Sequence, residues 1–259
     1  MIDRGNGTPI VLIPGLQGRL EWMMPTIDAL SERHRVLGFS LGDVNGGDPF
    51  AAWLQTVDAL VDRAGASRVA LMGVSYGGLI AVRYAALRPD RVRALVLVGT
   101  PSPRFTLDRL SAACAKHPRA TLPLFTVRGC YRVVPEILAA RRGWRSRMQL
   151  AFEYAGRAIR YPLSPTQMAH WVDAWMRADI SGECARVTAP ALLVTGEPSL
   201  DRVVPVASTL EYRALLCDTR HEILTDTGHI GWVSKPHELT TLVDRFLDTL
   251  GDVGSRHAS

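Results

Sequence analysis

Short, nearly unbroken apolar runs recur along the chain and alternate with longer stretches in which apolar residues repeat every three or four positions. The runs have the length of buried strands, and the longer stretches have helical periodicity. The predicted strands cover residues 10–13, 35–41, 68–72, 94–98, 191–195 and 221–224. The predicted helices cover residues 21–32, 49–64, 76–87, 204–215 and 235–250.

Strands that are apolar throughout are typical of a parallel sheet covered by helices on both faces. The pattern therefore predicts an α/β fold with a mostly parallel, doubly wound sheet. Residues 1–7 leave room for at most one short edge strand. A chain of 259 residues without internal repeats fits one such domain with an insertion. In these sheets, ligands bind beyond the carboxyl ends of the strands.

The predicted insertion covers residues 101–190, where strand-like runs are absent and helical patterns continue. Residues 1–100 and 191–259 would then form the core, with a helical cap, or lid, placed before the fifth predicted strand. Ser164 starts a capping-box-like sequence that leads into an apolar stripe. Such a stripe usually belongs to a core, but in a cap it could also face a substrate. The candidate substrate-binding residues are Trp144, Met168, Trp171 and Trp175.

Charge is distributed unevenly between these two parts. Residues 101–190 carry 14 basic and 6 acidic side chains, so the excess of +5 over the whole chain comes from the insertion. Its densest cluster surrounds Trp144 and consists of Arg141, Arg142, Arg145 and Arg147. A basic, aromatic cap could attract anionic substrates, an acyl carrier or an anionic membrane surface, although solvated arginines are the simpler explanation. No nucleic-acid-binding motif accompanies the charge, so nucleic acid is not an expected partner.

The pentapeptide G-V-S-Y-G at residues 73–77 follows an apolar run and precedes a helical one. Chance would supply about 0.1 copies of this pattern in the chain, so its context carries the argument. A serine on a tight strand-to-helix turn has a strained backbone, and small neighbours let the strand and the helix pass each other. Ser75 is therefore the candidate nucleophile, with a plain glycine-rich turn as the alternative.

A serine hydroxyl needs a base to take its proton, and the base needs a carboxylate to orient it. His229 is the candidate base, because it lies in T-G-H-I-G after the last predicted strand, whereas the other histidines lie in charged, helical or terminal segments. Asp201, on the loop after the fifth strand, is the first choice for the acid, although it could instead cap the next helix. Glu197 is the second choice and Asp226 the third.

These motifs together resemble those of the α/β-hydrolase fold superfamily over nearly the whole chain. Residues 10–18, I-V-L-I-P-G-L-Q-G, resemble its first core strand and oxyanion loop, and the order Ser75, Asp201, His229 is that of the superfamily. The resemblance implies that Ser75 is the nucleophile, His229 the general base and Asp201 the acid that orients it. The backbone N–H groups of Leu16 and Tyr76 would then form the oxyanion hole.

The implied function is a serine hydrolase without cofactor or metal, which cleaves esters or thioesters of small or medium acyl groups through an acyl-enzyme. Carbon–carbon bond hydrolysis and acyl or peroxyacid transfer use the same residues and stay open. A receptor-like protein that binds its ligand with little turnover is an alternative of another class. Members of the superfamily usually have about two more edge strands before the first core strand, so either the start codon is late or the sheet is trimmed there.

The remaining expectations concern location and partners. Four cysteines show neither metal-ligand spacing nor the density of a disulfide framework. No apolar run reaches the roughly 20 residues of a membrane span. We therefore expect a cytoplasmic protein that acts on a small acyl molecule. The sequence does not determine its oligomeric state.

Overall fold

A seven-stranded sheet lies at the centre of the structure, a computed structural model that describes residues 1–42 and 47–251. Its spatial order is β1-β3-β2-β4-β5-β6-β7. Only β1 runs antiparallel, beside β3, and every other neighbouring pair is parallel. The α/β fold class predicted from the sequence is thereby confirmed. The strands are β1 (Ile2–Arg4), β2 (Thr8–Ile13), β3 (His34–Gly38), β4 (Val69–Val74), β5 (Val92–Val98), β6 (Ala191–Thr195) and β7 (Thr219–Ile223).

Helices cover both faces of the sheet, which explains why its central strands are apolar throughout. All of β4 is buried, and its alternate residues enter two different clusters. Leu71 belongs to the cluster formed with helices α2 (Pro49–Ala64) and α3 (Tyr76–Leu87), whereas Met72 belongs to the cluster formed with α1 (Met24–Leu30) and the last helix. A residue on either side of β4 is therefore in a core, as expected for a doubly wound sheet.

Most predicted elements agree with the structure to within a few residues, and two helices differ. The predicted helix 21–32 is observed as a 3₁₀ helix over Leu20–Met23 followed by α1, which ends at Leu30. Residues 204–215 form two short helices, α9 (Val206–Leu210) and α10 (Tyr212–Leu215), instead of one. The break falls at Glu211, whose N–H is shared between two carbonyl oxygens and whose carboxylate accepts a hydrogen bond from Ser102 Oγ at 2.6 Å. The predicted helix 235–250 is observed as Pro236–Thr249, and residues 252–259 of the predicted core lie outside the described part of the chain.

Residues 101–190, which we call the inserted segment, leave the sheet after β5 and return to it at β6. Five helices account for most of it, and the described structure has no strand there. Tyr76 Oη donates a hydrogen bond to the carbonyl of Trp171 at 2.8 Å, and Trp22 Nε1 donates one to the carbonyl of Tyr161 at 3.1 Å. These bonds tie the segment to the sheet core. The helices are α4 (Arg109–Lys116), α5 (Leu122–Ala140), α6 (Trp144–Arg160), α7 (Pro165–Arg177) and α8 (Ile180–Glu183).

The last two described helices, α11 (Gly231–Ser234) and α12 (Pro236–Thr249), lie on the face of the sheet that α1 covers. The inner side of α12 packs against α1 through buried apolar residues that include Val243 and Phe246. Among residues 1–42 and 47–251, no helix combines the length and the apolar character needed to cross a membrane.

Candidate active site

Ser75 lies on the tight turn between β4 and α3, with φ 51° and ψ −122°. A non-glycine residue rarely adopts a positive φ, so the surrounding structure must hold this conformation. The neighbouring glycines allow the strand and the helix to approach each other. A Cβ atom at Gly73 would lie 2.4 Å from the Cα of Gly78, and one at Gly77 would lie 2.4 Å from the carbonyl oxygen of Ile13. The strand–turn–helix setting predicted for Ser75 is therefore present.

Three side chains that are far apart in sequence meet at the carboxyl edge of the sheet. Ser75 Oγ lies 3.0 Å from His229 Nε2, and His229 Nδ1 lies 3.3 Å from Asp201 Oδ2. The three residues follow β4, β7 and β6, respectively. The side chain of His229 is 10% exposed and that of Asp201 is 2% exposed. This chain of contacts can carry a proton from the serine to the imidazole and stabilise the resulting imidazolium.

The carboxylate of Asp201 is fixed by its own loop. Its second oxygen, Oδ1, accepts hydrogen bonds from the N–H groups of Val203 and Val204, at 3.0 and 2.9 Å. Helix α9 begins only at Val206, and Pro205 occupies its N-cap position, so Asp201 is not the cap of that helix. One oxygen is held by the backbone while the other faces the histidine.

The other two candidate acids point elsewhere. Glu197 Oε1 accepts a hydrogen bond from the backbone N–H of Asp226 at 2.7 Å, and this stabilises a turn in which Asp226 has φ 54°. The carboxylate of Asp226 is exposed and lies 3.7 Å from Lys235 Nζ. Of the three candidates, only Asp201 contacts His229.

The loops that carry Asp201 and His229 are packed backbone to backbone. A Cβ atom at Gly228 would lie 2.6 Å from the carbonyl carbon of Leu200 and 2.7 Å from the nitrogen of Asp201. Any residue larger than glycine would therefore push the acid loop away from the histidine loop. The glycine before His229 thus helps to set the distance between the carboxylate and the imidazole.

The environment of His229 raises its pKa. Burial opposes the charged imidazolium, but the charge and the hydrogen bond of Asp201 together with the charge of Glu136 favour it more strongly. Arg132 acts in the opposite direction. The proximity of Asp201 to the ring explains the sign of this shift, because an opposite charge at hydrogen-bond distance stabilises the ionised form.

Glu136, on α5 of the inserted segment, was not among the residues singled out from the sequence. Its side chain is buried, with the residue 1% exposed, and its Oε1 accepts hydrogen bonds from Thr227 Oγ1 at 2.5 Å and from the N–H of Ile230 at 2.7 Å. Burial raises the pKa of this carboxyl group, while the hydrogen bonds that it accepts lower it. The signal in the sequence was a single acid in an apolar helix, since α5 has no other acidic residue.

The backbone next to Ser75 offers two N–H groups to a ligand. A Cβ atom at Gly15 would lie 3.2 Å from the Cβ of Ser75, so the loop after β2 runs directly beside the serine. Leu16 is the next residue on that loop, and Tyr76 is the first residue of α3. Within the described ranges, neither of their N–H groups donates a hydrogen bond to a backbone or side-chain acceptor. Both N–H groups are thus unpaired in the described part of the chain.

A cavity of about 320 Å³ opens between the sheet edge and the inserted segment. Ser75, His229, Leu16 and Tyr76 line its floor, and residues of α4, α5 and α7 line its walls. The predicted stripe on α7 divides here. Met168, Val172 and Trp175, spaced as i, i+4 and i+7 on one side of the helix, face the cavity.

The two other aromatic candidates lie away from the cavity. Trp171 is 2% exposed and packs edge-on against Trp53, with ring centroids 5.7 Å apart. Trp144, at the start of α6, is 70% exposed, and the guanidinium of Arg145 lies over its ring. The dense arginine cluster around Trp144 does not line the cavity either. The arginines that do are Arg128 and Arg132, on α5.

Candidate metal ligands and thiols are the remaining reactive groups of the described structure. In the described ranges, no group of three or more His, Cys, Asp or Glu side chains could hold a metal ion. The four cysteines are all free thiols, and Cys114 lines the cavity.

The comparison with known proteins identifies the family of the chain. The sequence profile of the alpha/beta hydrolase fold matches residues 8–236. The chain therefore belongs to the α/β-hydrolase fold family, as its motifs predicted. A 2-hydroxy-6-oxo-2,4-heptadienoate hydrolase from Pseudomonas putida is 26% identical, and the alignment covers 95% of this chain and 91% of that one.

The relatives also include esterases. A pimeloyl-[acyl-carrier protein] methyl ester esterase from Aliivibrio salmonicida is 25% identical, over 94% of this chain and 93% of that one. Among solved structures, an esterase from Exiguobacterium antarcticum superposes with a TM-score of 0.77 at 18% identity, over 95% of this chain and 94% of that one. The relatives support a hydrolase as the general class, and the structural similarity supports the fold.

Proposed function

We propose that this protein is a serine hydrolase that cleaves an ester or a thioester of a small or medium acyl group. The observation that carries the proposal is the contact chain from Ser75 Oγ through His229 to Asp201, at 3.0 and 3.3 Å, on the floor of a cavity of about 320 Å³. In space, the base lies between the nucleophile and the acid that orients it, which is the arrangement that acyl transfer requires.

In this mechanism, Ser75 Oγ attacks the carbonyl carbon of the bound substrate while His229 Nε2 takes the hydroxyl proton. The oxyanion of the tetrahedral intermediate accepts hydrogen bonds from the N–H groups of Leu16 and Tyr76. The imidazolium then gives its proton to the leaving alcohol or thiol, and an acyl group remains on Ser75. His229 next deprotonates a water molecule, which attacks the acyl-enzyme and releases the acid.

Residues 101–190 act in this proposal as a cap that shapes the cavity. Met168 and Trp175 form part of its apolar wall, and the acyl chain would lie against them. The relative from Aliivibrio salmonicida supports this substrate class, because its name describes a methyl ester of an acyl group on a carrier protein. Trp144 and Trp171 have no direct part, since neither lines the cavity.

Hydrolysis of a carbon–carbon bond next to a ketone is the second candidate. The relative from Pseudomonas putida favours it, because its named substrate is a 6-oxo dienoate. The same serine, histidine and aspartate would serve both reactions, so the contact chain does not separate them. The difference must come from the groups that recognise the substrate in the cavity.

An activity-based fluorophosphonate probe tests the proposal against a receptor-like function. We expect stoichiometric labelling of the wild type and no labelling of Ser75→Ala, because only an activated serine reacts at an appreciable rate. Ser111→Ala is a matched control, since Ser111 also lines the cavity but has no histidine partner. An unlabelled wild type that is folded and still binds acyl compounds would favour the receptor.

A substrate panel separates the two reactions. Purified protein would be assayed with p-nitrophenyl esters and acyl thioesters of two to eight carbons, and with a vinylogous 1,5-diketone. Faster turnover of the esters or thioesters supports the leading proposal. Turnover of the diketone alone, dependent on Ser75, would replace it with carbon–carbon hydrolysis.

A further inference from the structure

Two arginines on one side of α5 form a charged corner in the otherwise largely apolar cavity. Arg128 and Arg132 are one helical turn apart, so both side chains leave the helix in the same direction. Both line the cavity, and each side chain is only 22% exposed. Both arginines line the same cavity as Ser75 and His229, and the charge of Arg132 opposes the raised pKa of His229.

The acid that faces this corner, Asp108, can balance only one of the two charges. Asp108 Oδ2 accepts hydrogen bonds from Arg128 Nη2 and from Arg132 Nη2, so a single oxygen is shared. Its other oxygen, Oδ1, accepts the N–H of Ser111 and caps α4. The two arginines and Asp108 together carry one net positive charge, and the charge of Asp201 also acts on Arg132.

The pair has further unused capacity for hydrogen bonding. Arg128 Nε is buried and has no acceptor among the described residues. Burial, with a smaller contribution from the neighbouring Arg128, lowers the pKa of Arg132, whereas Asp108 and Asp201 act in the opposite direction, so burial disfavours the charge of this guanidinium. A planar anion with two oxygens would compensate the positive charge of the pair, because guanidinium groups bind carboxylates through two parallel N–H donors.

We infer that Arg128 and Arg132 form a subsite for a carboxylate on the substrate, so that the favoured acyl compounds carry a second, ionised carboxyl group. This inference rests on the proposed function, since it assumes that the ester or thioester carbonyl lies at Ser75. The sequence suggested the arginine cluster around Trp144 as a surface that attracts anions. The proposed anion site lies instead on the wall of the cavity.

Two p-nitrophenyl esters of equal chain length test this inference: the half-ester of adipic acid, which carries a carboxylate, and the hexanoate, which does not. We expect kcat/KM to be higher for the adipate half-ester, and Arg132→Gln or Arg128→Gln to lower the adipate-to-hexanoate ratio by about 10- to 100-fold. Arg145→Gln is the matched control, because Arg145 is an exposed arginine of the same segment and lies outside the cavity. Its ratio should equal that of the wild type.

The outcomes separate this inference from the function on which it rests. Hexanoate turnover that requires Ser75, with a ratio that neither arginine affects, would leave the hydrolase intact and overturn the carboxylate subsite. Calorimetry of the binding of the two esters to Ser75→Ala measures the affinity of the subsite without turnover. An adipate half-ester that binds no more tightly than the hexanoate ester would overturn the inference even if both esters were hydrolysed by the wild type.

A different observation carries a second inference, which concerns Glu136. Its Oε1 accepts hydrogen bonds from Thr227 Oγ1 and from the N–H of Ile230. Glu136 therefore binds the loop that carries His229 at two residues before and one residue after that histidine. Glu136 belongs to the inserted segment, whereas Ser75 and Asp201 belong to the sheet core. We infer that Glu136 is a positioning residue through which the inserted segment holds His229 against Ser75.

Two substitutions distinguish positioning from a merely structural role. Glu136→Gln keeps an acceptor oxygen but removes the charge, and Glu136→Leu removes both. We expect Glu136→Leu to lower kcat by about 10- to 100-fold, and Glu136→Gln to restore most of this loss, because a small misplacement of a catalytic base is costly. If Glu136→Leu is folded by circular dichroism and keeps the kcat of the wild type, the inference is wrong.

The pH profile gives an independent reading. The charged groups that face His229 are Asp201, Glu136 and Arg132, and the first two favour the imidazolium. Removing the charge in Glu136→Gln should therefore move the acid limb of kcat/KM to lower pH. A lower melting temperature with an unmoved acid limb would show that Glu136 serves only the stability of the segment.

Discussion

The sheet core and the inserted segment bury their side chains very differently. Every residue of β4 and β6 is buried, whereas α4 has no buried residue, and α6 buries only Leu150. Of the large apolar side chains that are exposed in the described structure, twelve lie in the inserted segment and three in the core. The core thus holds its residues through packing on all sides. The inserted segment is held mainly by the side chains that line the cavity or pack against the edge of the sheet.

The two regions also divide the chemistry. Ser75, Asp201 and His229 all lie on loops of the core that follow strands of the sheet, Ser75 directly and the other two six residues after the strand ends. The charged and aromatic groups that would meet the rest of the substrate lie on α5 and α7 of the inserted segment. A rigid sheet edge can keep the reacting groups within hydrogen-bond distance, while a loosely packed segment can change its cavity wall at little cost to stability. Glu136 is the point at which the second region reaches into the first.

The largest expected effect lies in the core. Asp201→Asn should lower kcat for an activated ester by about 10⁴-fold, because the amide no longer holds the imidazole in its reactive tautomer. Glu197→Gln is the matched control, since its carboxylate holds the turn at Asp226 and does not contact the histidine. Steady-state kinetics of the two variants check the assignment. A larger loss in the Glu197 variant would exchange the roles of the two acids.

The contact between the two regions is the next target. The ring of Trp171 packs on Trp53 and against Gly18, where a Cβ atom would lie 2.5 Å from it. Trp171→Ala should lower the free energy of unfolding by about 3–5 kcal/mol, because it leaves a large cavity under α7. Trp144→Ala, in the exposed part of the same segment, should change it by no more than about 0.5 kcal/mol. Urea denaturation measures both, and equal losses would show that the burial of Trp171 is not what attaches the segment.

The difference between the regions also decides what could be predicted from the sequence. The strands of the core were readable because a buried parallel strand is a continuous apolar run, and the bounds of β6 were predicted to the residue. Ser75 and His229 could be found because their glycines are demanded by close backbone contacts. Asp201 could not be separated from Glu197 in the same way, since the choice depends on how the loop folds back onto Gly228.

The burial of helix sides in the inserted segment was harder to predict, for a physical reason. On α5, Leu124, Val127, Tyr131, Val134 and Leu138 recur every three or four residues and are nevertheless exposed. Periodicity identifies an apolar side of a helix but does not say whether that side meets the core, the cavity or solvent. For this reason the stripe on α7 was predicted correctly as a stripe, yet it contributes Met168 and Trp175 to the cavity and Trp171 to the core. Glu136, Arg128 and Arg132 matter through partners that are distant in sequence, which no local pattern reveals.

A moderate effect is expected in the pH profile of the wild type. Asp201 raises the pKa of His229, and the base must be neutral to take the serine proton. Activity should therefore fall below the raised pKa, which places the acid limb of kcat/KM above the ordinary pKa of histidine, about 6.5. Below that limb, kcat/KM should drop about tenfold per pH unit. An acid limb well below 6.5 would mean that Asp201 does not hold its charge next to the ring.

The smallest expected effect concerns the cavity wall alone. Met168 faces the cavity from α7, so Met168→Ala should lengthen the space available to an acyl chain without disturbing the sheet. We expect the optimum among p-nitrophenyl esters to shift to longer chains, with changes in kcat/KM of about 2- to 10-fold, because one or two methylene groups in an apolar pocket are worth little more. Met176→Ala is the matched control, since Met176 lies on the exposed side of the same helix. If both variants shift the optimum equally, the wall does not select the substrate, and the division of roles between core and segment would have to be redrawn.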